Sequence, residues 1–269
     1  MNGAWVLEAS KDRLVSEVGG WFPGQRTVFR GQDLHHDLAE LDWMELYVYG
    51  ITGRRFSAAE VKVLHRIWTY TSYPDARLWN NRVAAVAGSV RSTGNLAISA
   101  AMAVSEASIY GGRPVIRSID FFQRAKKRLD AGDNCVDIVK WEIGKFRGIA
   151  GYGRPIVAID ERIGPMMKLV TELGMDKLPF VQLAFEVERT LQQERYRLRM
   201  NFAALTAALA ADMGFSAREY YLYVIPCFVA GMLPCYIEAS ARPEGSFLPL
   251  PCDRVEYAGV GERAWGTDS

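Results

Sequence analysis

Apolar positions recur every three to four residues along most of this chain, and runs alternating every second residue are scarce. That period predicts amphipathic helices, each with one face in a core. Start and stop signals reinforce it. Ser57-Ala-Ala-Glu60 is a capping box, in which the serine hydroxyl accepts from the Glu60 amide while the Glu60 carboxylate reaches back. It opens a run with Val61, Leu64, His65 and Trp68 on one face. Ser216-Ala-Arg-Glu219 is a second capping box, and Gly214 just before it suits a left-handed helix stop, as Gly174 does for another helix. Between these signals the pattern predicts helices over 34–49, 57–72, 77–90, 95–109, 116–130, 134–149, 161–173, 178–197, 200–213 and 217–240. The expected fold class is all-α. Glycines punctuate the chain at Gly111-Gly112 and at Gly151-Tyr152-Gly153, and the tail from Ala241 to Ser269 reads as a loop or arm.

One predicted helix needs a membrane check, because Tyr220 to Ile237 holds no charged residue. It also holds Pro226, Pro234 and four tyrosines. A spanning helix needs about 20 predominantly apolar residues. A buried core helix, at or near a subunit interface, fits this stretch better, and no membrane partner is expected.

Composition narrows the function classes. The chain has 269 residues, 49% apolar and 23% charged, enough for a sizeable core. Its formal net charge of +1 leaves no electrostatic footprint for nucleic acid. Cys135, Cys227, Cys235 and Cys252 form no CxxC pair, and the three histidines have no ligand spacing, so free thiols and no metal are expected. The N-terminus, MNGAWVLEASKDR, lacks a charged-then-apolar leader pattern, and a cytoplasmic location is expected.

Six short elements, in order, carry a resemblance. They are RGQDLHHDLAELDWMELYVYGITGRRFSAAEVKVL from Arg30, IYGGRP at Ile109–Pro114 and GYGRPIVAIDER at Gly151–Arg162. LRMNFAAL at Leu198–Leu205, GMLPCYIE at Gly231–Glu238 and RVEYAG at Arg254–Gly259 follow. Together the chain resembles the citrate synthase family, and by length its compact citryl-CoA lyase-like members. The resemblance implies a helical homodimer with a large domain (1–112 and 213–269) and a smaller inserted one (113–212). The active site would lie between them, closing on substrate to exclude water. A coenzyme A thioester would bind mainly on the small-domain side, where Gly151 and Gly153 allow close backbone approach.

The family's reaction is a Claisen-type condensation or its reverse, and this chain departs from it at three positions. The enol-stabilising histidine falls at Tyr110, which can still donate a hydrogen bond to an enolate oxygen or simply pack at a helix end. The carbonyl-polarising histidine falls at Arg154, which cannot shuttle protons but can hold a carboxylate or an oxyanion. The base falls at Asn201, whose neutral amide cannot take a proton from carbon. Asp75, Asp160, Glu161 and Glu186 are candidate replacements, each equally readable as a salt-bridge partner or solvated charge.

The substrate side departs as well. The loop arginine is kept as Arg162. A second family arginine falls at Phe228, and a histidine that contacts the acceptor falls near Ser72 or Tyr73. The C-terminal arginine falls at Cys252, with Arg254 two residues on. A tricarboxylate clamp is therefore largely gone, so a smaller or less charged acceptor is expected. Glu188 reads as half of an inter-helix ion pair, His35 and His36 as helix-cap or interface residues, and Cys235 as an inert buried thiol. Two function classes stand. One is an acyltransferase or C–C lyase acting on an acyl-CoA through non-standard groups. A decarboxylating donor would spare that enzyme the lost base. The other is an inactive binding or regulatory subunit.

Overall fold

The computed structural model describes residues 3–154 and 159–261. Among them run helices α1 (Ala4–Ala9), α2 (Trp43–Thr52), α3 (Ala58–Thr71), α4 (Trp79–Ser89), α5 (Gly94–Val104) and α6 (Gly112–Asp130). Helices α7 (Cys135–Phe146), α8 (Ile163–Glu172), α9 (Pro179–Gln193), α10 (Phe202–Asp212) and α11 (Ala217–Ser240) follow. Both predicted capping boxes are made, at Ser57–Glu60 and Ser216–Glu219. Gly174 and Gly214 take φ of 71° and 77°, the left-handed stop expected of them. Among the described residues, the regular structure is helical apart from one small sheet.

The first expected helix is corrected. It was expected from residue 34 but starts at Trp43. Asp33 takes the backbone N–H groups of both His35 and His36 at 2.9 and 3.2 Å, which holds that stretch in turns. A third capping box, Asp42 with Glu45, then starts the helix. A small sheet also precedes it, beside an otherwise helical fold. Strands β1 (Gly19–Phe22), β2 (Arg26–Phe29) and β3 (Gln32–Asp33) form an antiparallel meander, with Gly19 opposite Phe29 and Val28 opposite Asp33. Pro23-Gly24 makes the first turn. These strands are short and β1 is exposed throughout, so no alternating burial pattern marked them. Predicted residues 262–269 of the tail, and residues 155–158 of the GYGRPIVAIDER loop, lie outside the described residues.

Two helices organise the packing. α11 lies against α2, α3, α4, α5 and α6. Three tyrosine hydroxyls tie it in: Tyr220 donates to Thr206 on α10, Tyr223 to the Leu64 carbonyl on α3, and Tyr47 of α2 to the Leu222 carbonyl. α10 is apolar all round, with Phe202 and every residue from Ala204 to Ala211 buried, and it packs on α6 and α9. A helix apolar on all faces belongs in the middle of a protein. α6 and α9 present stripes at helical spacing, Val115, Ile119, Phe122 and Val181, Ala184, Val187, Leu191. α11 is long and apolar enough to cross a membrane by length and composition. Its buried residues follow the spacing of one helix face, Tyr220, Tyr223, Val224, Cys227, Gly231 and Cys235, while Leu233 and Ile237 are exposed.

Candidate functional site

Three segments meet where α10 begins, and a fourth carries Tyr110. The first is the loop after α7, from Gly151 to Arg154. It runs antiparallel to residues 199–201: Tyr152 bridges Met200, Gly153 N–H donates to the Arg199 carbonyl at 2.6 Å, and Asn201 N–H donates to the Gly151 carbonyl at 2.9 Å. Gly151 has φ of 91°, and a Cβ there would stand 2.6 Å from Ala204 Cβ. That glycine is therefore required by its approach to α10, whatever else the loop does.

Asn201 is the N-cap of α10. Its Oδ1 accepts from Ala203 N–H and its Nδ2 donates to the Gly153 carbonyl, both at 2.9 Å. Both ends of the amide are thus spent on holding the loop to the helix.

The second segment precedes α8. Asp160 is buried, with its side chain 0% exposed, and it makes a bidentate pair with Arg162, Oδ1 to Nε at 2.8 Å and Oδ2 to Nη2 at 2.7 Å. Its Oδ2 also accepts from Phe202 N–H at the start of α10, at 2.8 Å. Burial pushes this carboxyl up, but Arg162 and the Phe202 N–H outweigh it and hold it below the usual range. Arg162 lies between two rings, 5.1 Å from the Tyr73 centroid and 4.5 Å from that of Phe202.

Glu161 points elsewhere. Arg154 Nη1 donates to its Oε2 at 2.7 Å, and the Tyr73 hydroxyl donates to its Oε1 at 2.6 Å. These two bonds, Tyr73 first, hold the Glu161 carboxyl down to about 2. Burial and the same carboxylate push the Tyr73 phenol up to about 12. Arg154 also donates to the Ile159 carbonyl and lies 4.0 Å from Asp160.

The third segment is the α3–α4 connection carrying Tyr73, and the fourth the turn before α6 carrying Tyr110. Tyr110 packs edge-on to Trp79 and tilts against Phe228 of α11. Its hydroxyl donates to Asn80 Oδ1 at 3.5 Å. Burial raises its phenol, opposed by the Asn80 bond and by the charge of Arg162.

The structure thus gathers Tyr73, Arg154, Arg162 and Asn201, which the resemblance had singled out, while Tyr110, also singled out, contacts Trp79, Asn80 and Phe228. Other expected residues are not brought in. The Ser72 hydroxyl turns back to the Trp68 carbonyl at 2.7 Å. Arg254 sits in a one-turn helix, Cys252–Arg254, in an exposed tail. Glu188 accepts from the Met200 N–H at 3.0 Å, a helix-to-loop bond in place of the expected ion pair. Of the candidate bases, Asp75, Asp160 and Glu161 are all paired with arginine. Burial raises the Cys235 thiol. What sequence reasoning missed is the role of Asp160 and Glu161 as internal partners. The signal was present in Asp160-Glu161-Arg162, two acids abutting an arginine that the resemblance had assigned to substrate.

A depression of about 230 Å³ lies nearby, lined by Asp160, Ile163, Glu188, Arg199 and Met200 among others. It shares only Asp160 with this cluster, and that carboxylate is already committed. Among the described residues, no group of three or more His, Cys, Asp or Glu side chains could hold a metal ion.

The fold is a citrate synthase-like one. The chain is similar to citryl-CoA lyase from Hydrogenobacter thermophilus, with a TM-score of 0.80 and 20% identity over 94% of this chain and 97% of that one. It is also similar to ATP citrate lyase from Methanothrix soehngenii, solved with citrate and coenzyme A, with a TM-score of 0.73 and 14% identity; it spans 45% of that longer chain and 97% of its own length is covered. Citrate synthase from Thermoplasma acidophilum matches with a TM-score of 0.63 and 17% identity over 84% of this chain and 59% of that one. No protein-family model and no curated protein matches the sequence. The fold is the one these structures share.

Proposed function

We propose that the protein acts on a coenzyme A thioester at the Tyr73–Tyr110–Arg154–Arg162 cluster, making or breaking a C–C bond as an acyltransferase or C–C lyase. The large domain would comprise 1–112 and 213–269 and the small one 113–212. In keeping with this division, α10 lies on α6 and α9, α7 lies on α9, and α2 to α5 lie around α11, while α6 and α8 also reach across it to α11 and α3. Gly151 and Gly153 would form the edge along which the thioester lies. The protein would work as a cytoplasmic homodimer.

The observation that carries the reading is the state of Asn201. A residue spent as a helix cap and loop tie cannot take a proton from carbon, and no paired carboxylate beside it is a ready base. A donor that loses carbon dioxide needs none. In a malonyl-type thioester the bond to the carboxylate breaks, its electron pair remains as the enolate, and carbon dioxide leaves. The enolate carbon then bonds to the acceptor carbonyl carbon. Neutral Tyr110 would donate to the enolate oxygen, and Arg154 or Arg162 would stabilise the developing alkoxide. The experiment is titration with coenzyme A, acetyl-CoA and malonyl-CoA, read by thermal shift, with labelled carbon dioxide release from malonyl-CoA. Stabilisation by the thioesters with release dependent on Tyr110 supports the enzyme. No stabilisation at millimolar concentration sinks it.

A second reading follows from the same pairs. Because Arg154 and Arg162 are each bound to an internal carboxylate, the cluster could be structural in an inactive binding or regulatory subunit. Thioester binding without turnover of any donor would select it.

A further inference from the structure

The two arginines of the cluster are not equally committed. Arg162 is tied to a carboxylate with no exposure, one that also caps α10, and cannot give it up without stranding a buried charge. Arg154 is 26% exposed, and its partner Glu161 is 60% exposed. Glu161 is held as a ligand carboxylate is usually held, one donor to each oxygen. A guanidinium comes from the loop after α7 and a phenol from the α3–α4 connection. The cluster's charges sum to zero, two guanidiniums against two carboxylates.

From this we infer that Glu161 determines specificity: its carboxylate occupies the anion site formed by Arg154 and Tyr73, so the cluster selects acceptors that bring no carboxylate to that position. The inference rests on the cluster being the ligand site. An acidic ligand must either displace Glu161, losing both its bonds, or sit beside it and meet like charge. A carbonyl compound lacking that carboxylate meets neither cost. The glutamate thus stands in for a part of the ligand that an acidic acceptor would otherwise supply. Being mostly exposed and at the start of α8, it is also easily substituted without unfolding the protein.

The test compares the wild type with Glu161→Gln in the full-length protein, using sodium succinate as probe, with sodium chloride at equal ionic strength as control and calorimetry as readout. Glu161→Gln is expected to bind succinate at least about tenfold more tightly, since a bond to a charged group stabilises by about that factor. Adding Arg154→Ala is expected to remove the gain, which shows that it passes through that guanidinium. A second variant, Glu161→Ala, should show the same gain and guards against an effect of the amide. Equal succinate binding by wild type and both variants overturns the inference, as does no measurable binding by any, or a gain that survives Arg154→Ala. Coenzyme A is titrated into the same samples. If it binds none while succinate behaves as expected, the proposed enzyme fails and the anion site stands. If it binds all and succinate shows no gain, only the inference on Glu161 fails.

Discussion

Asp160 is the residue on which the cluster turns. With its side chain fully buried, it joins Arg162, the α10 N-terminus and, at 4.0 Å, Arg154. Removing one partner of a buried pair leaves an uncompensated charge, which costs about 3–5 kcal/mol. Arg162→Ala is therefore expected to lose about 3 kcal/mol at pH 7 by urea denaturation, allowing for the partial exposure of the guanidinium. The pH dependence has a definite sign. In the wild type the carboxyl is held below its ordinary value of 3.8, so its stabilisation is full above that value and is lost as pH falls through the lower folded value. In Arg162→Ala burial is left less opposed, so the folded carboxyl rises and the deficit should shrink as the group protonates. A deficit unchanged between pH 7 and pH 3 would contradict this account. Glu161 behaves in the same direction: its contribution is present above 4.5 and lost between there and about 2.

Among the elements, α11 does more than fill the core. At Gly231 it passes so close to the α3–α4 connection that an added Cβ would lie 2.3 Å from the Tyr73 carbonyl oxygen and 3.2 Å from Asn81 Nδ2. Backbone cannot yield as a flexible side chain does. Gly231→Ala should therefore push the Tyr73 segment off the helix, at about 1–3 kcal/mol of stability. Because that segment carries the ring over Arg162 and the hydroxyl on Glu161, the substitution should also weaken the cluster. The combined readout is a lower thermal midpoint and a succinate response that moves toward that of Glu161→Gln. The GMLPCYIE element was legible from its spacing. The reason for its glycine was not, because the neighbour it accommodates lies more than 150 residues away in sequence.

For the whole molecule, exposed apolar residues occur on two elements that touch. α4 leaves Trp79 and Val86 exposed, with Val90 at its C-cap, and α11, which packs on it, leaves Leu233 and Ile237 exposed. Large exposed apolar patches mark interaction surfaces. If this face joins two copies, Ile237→Glu should convert a dimer to a monomer in sedimentation velocity with little loss of helix by circular dichroism. A wild type that sediments as a monomer would remove the homodimer from the proposal.

Helix existence was settled locally. Ten predicted helices are present because an apolar period near 3.6, serine–glutamate boxes and left-handed glycines act within a few residues of themselves. The short meander and the start of α2 escaped, since their signals were brief turns and an Asx contact without hydrophobic periodicity. The order of motifs was also enough to indicate the fold and to single out Tyr110, Arg154 and Asn201 as departures from the pattern it resembles. Their present use was decided only by tertiary structure. That Asn201 ties down the loop at Gly153, that Asp160 is buried against the Phe202 N–H, and that Tyr73 reaches Glu161 all depend on segments far apart in the chain brought within 3 Å of one another. Ion pairing and desolvation depend on that distance and on burial, and neither is written in the order of the residues.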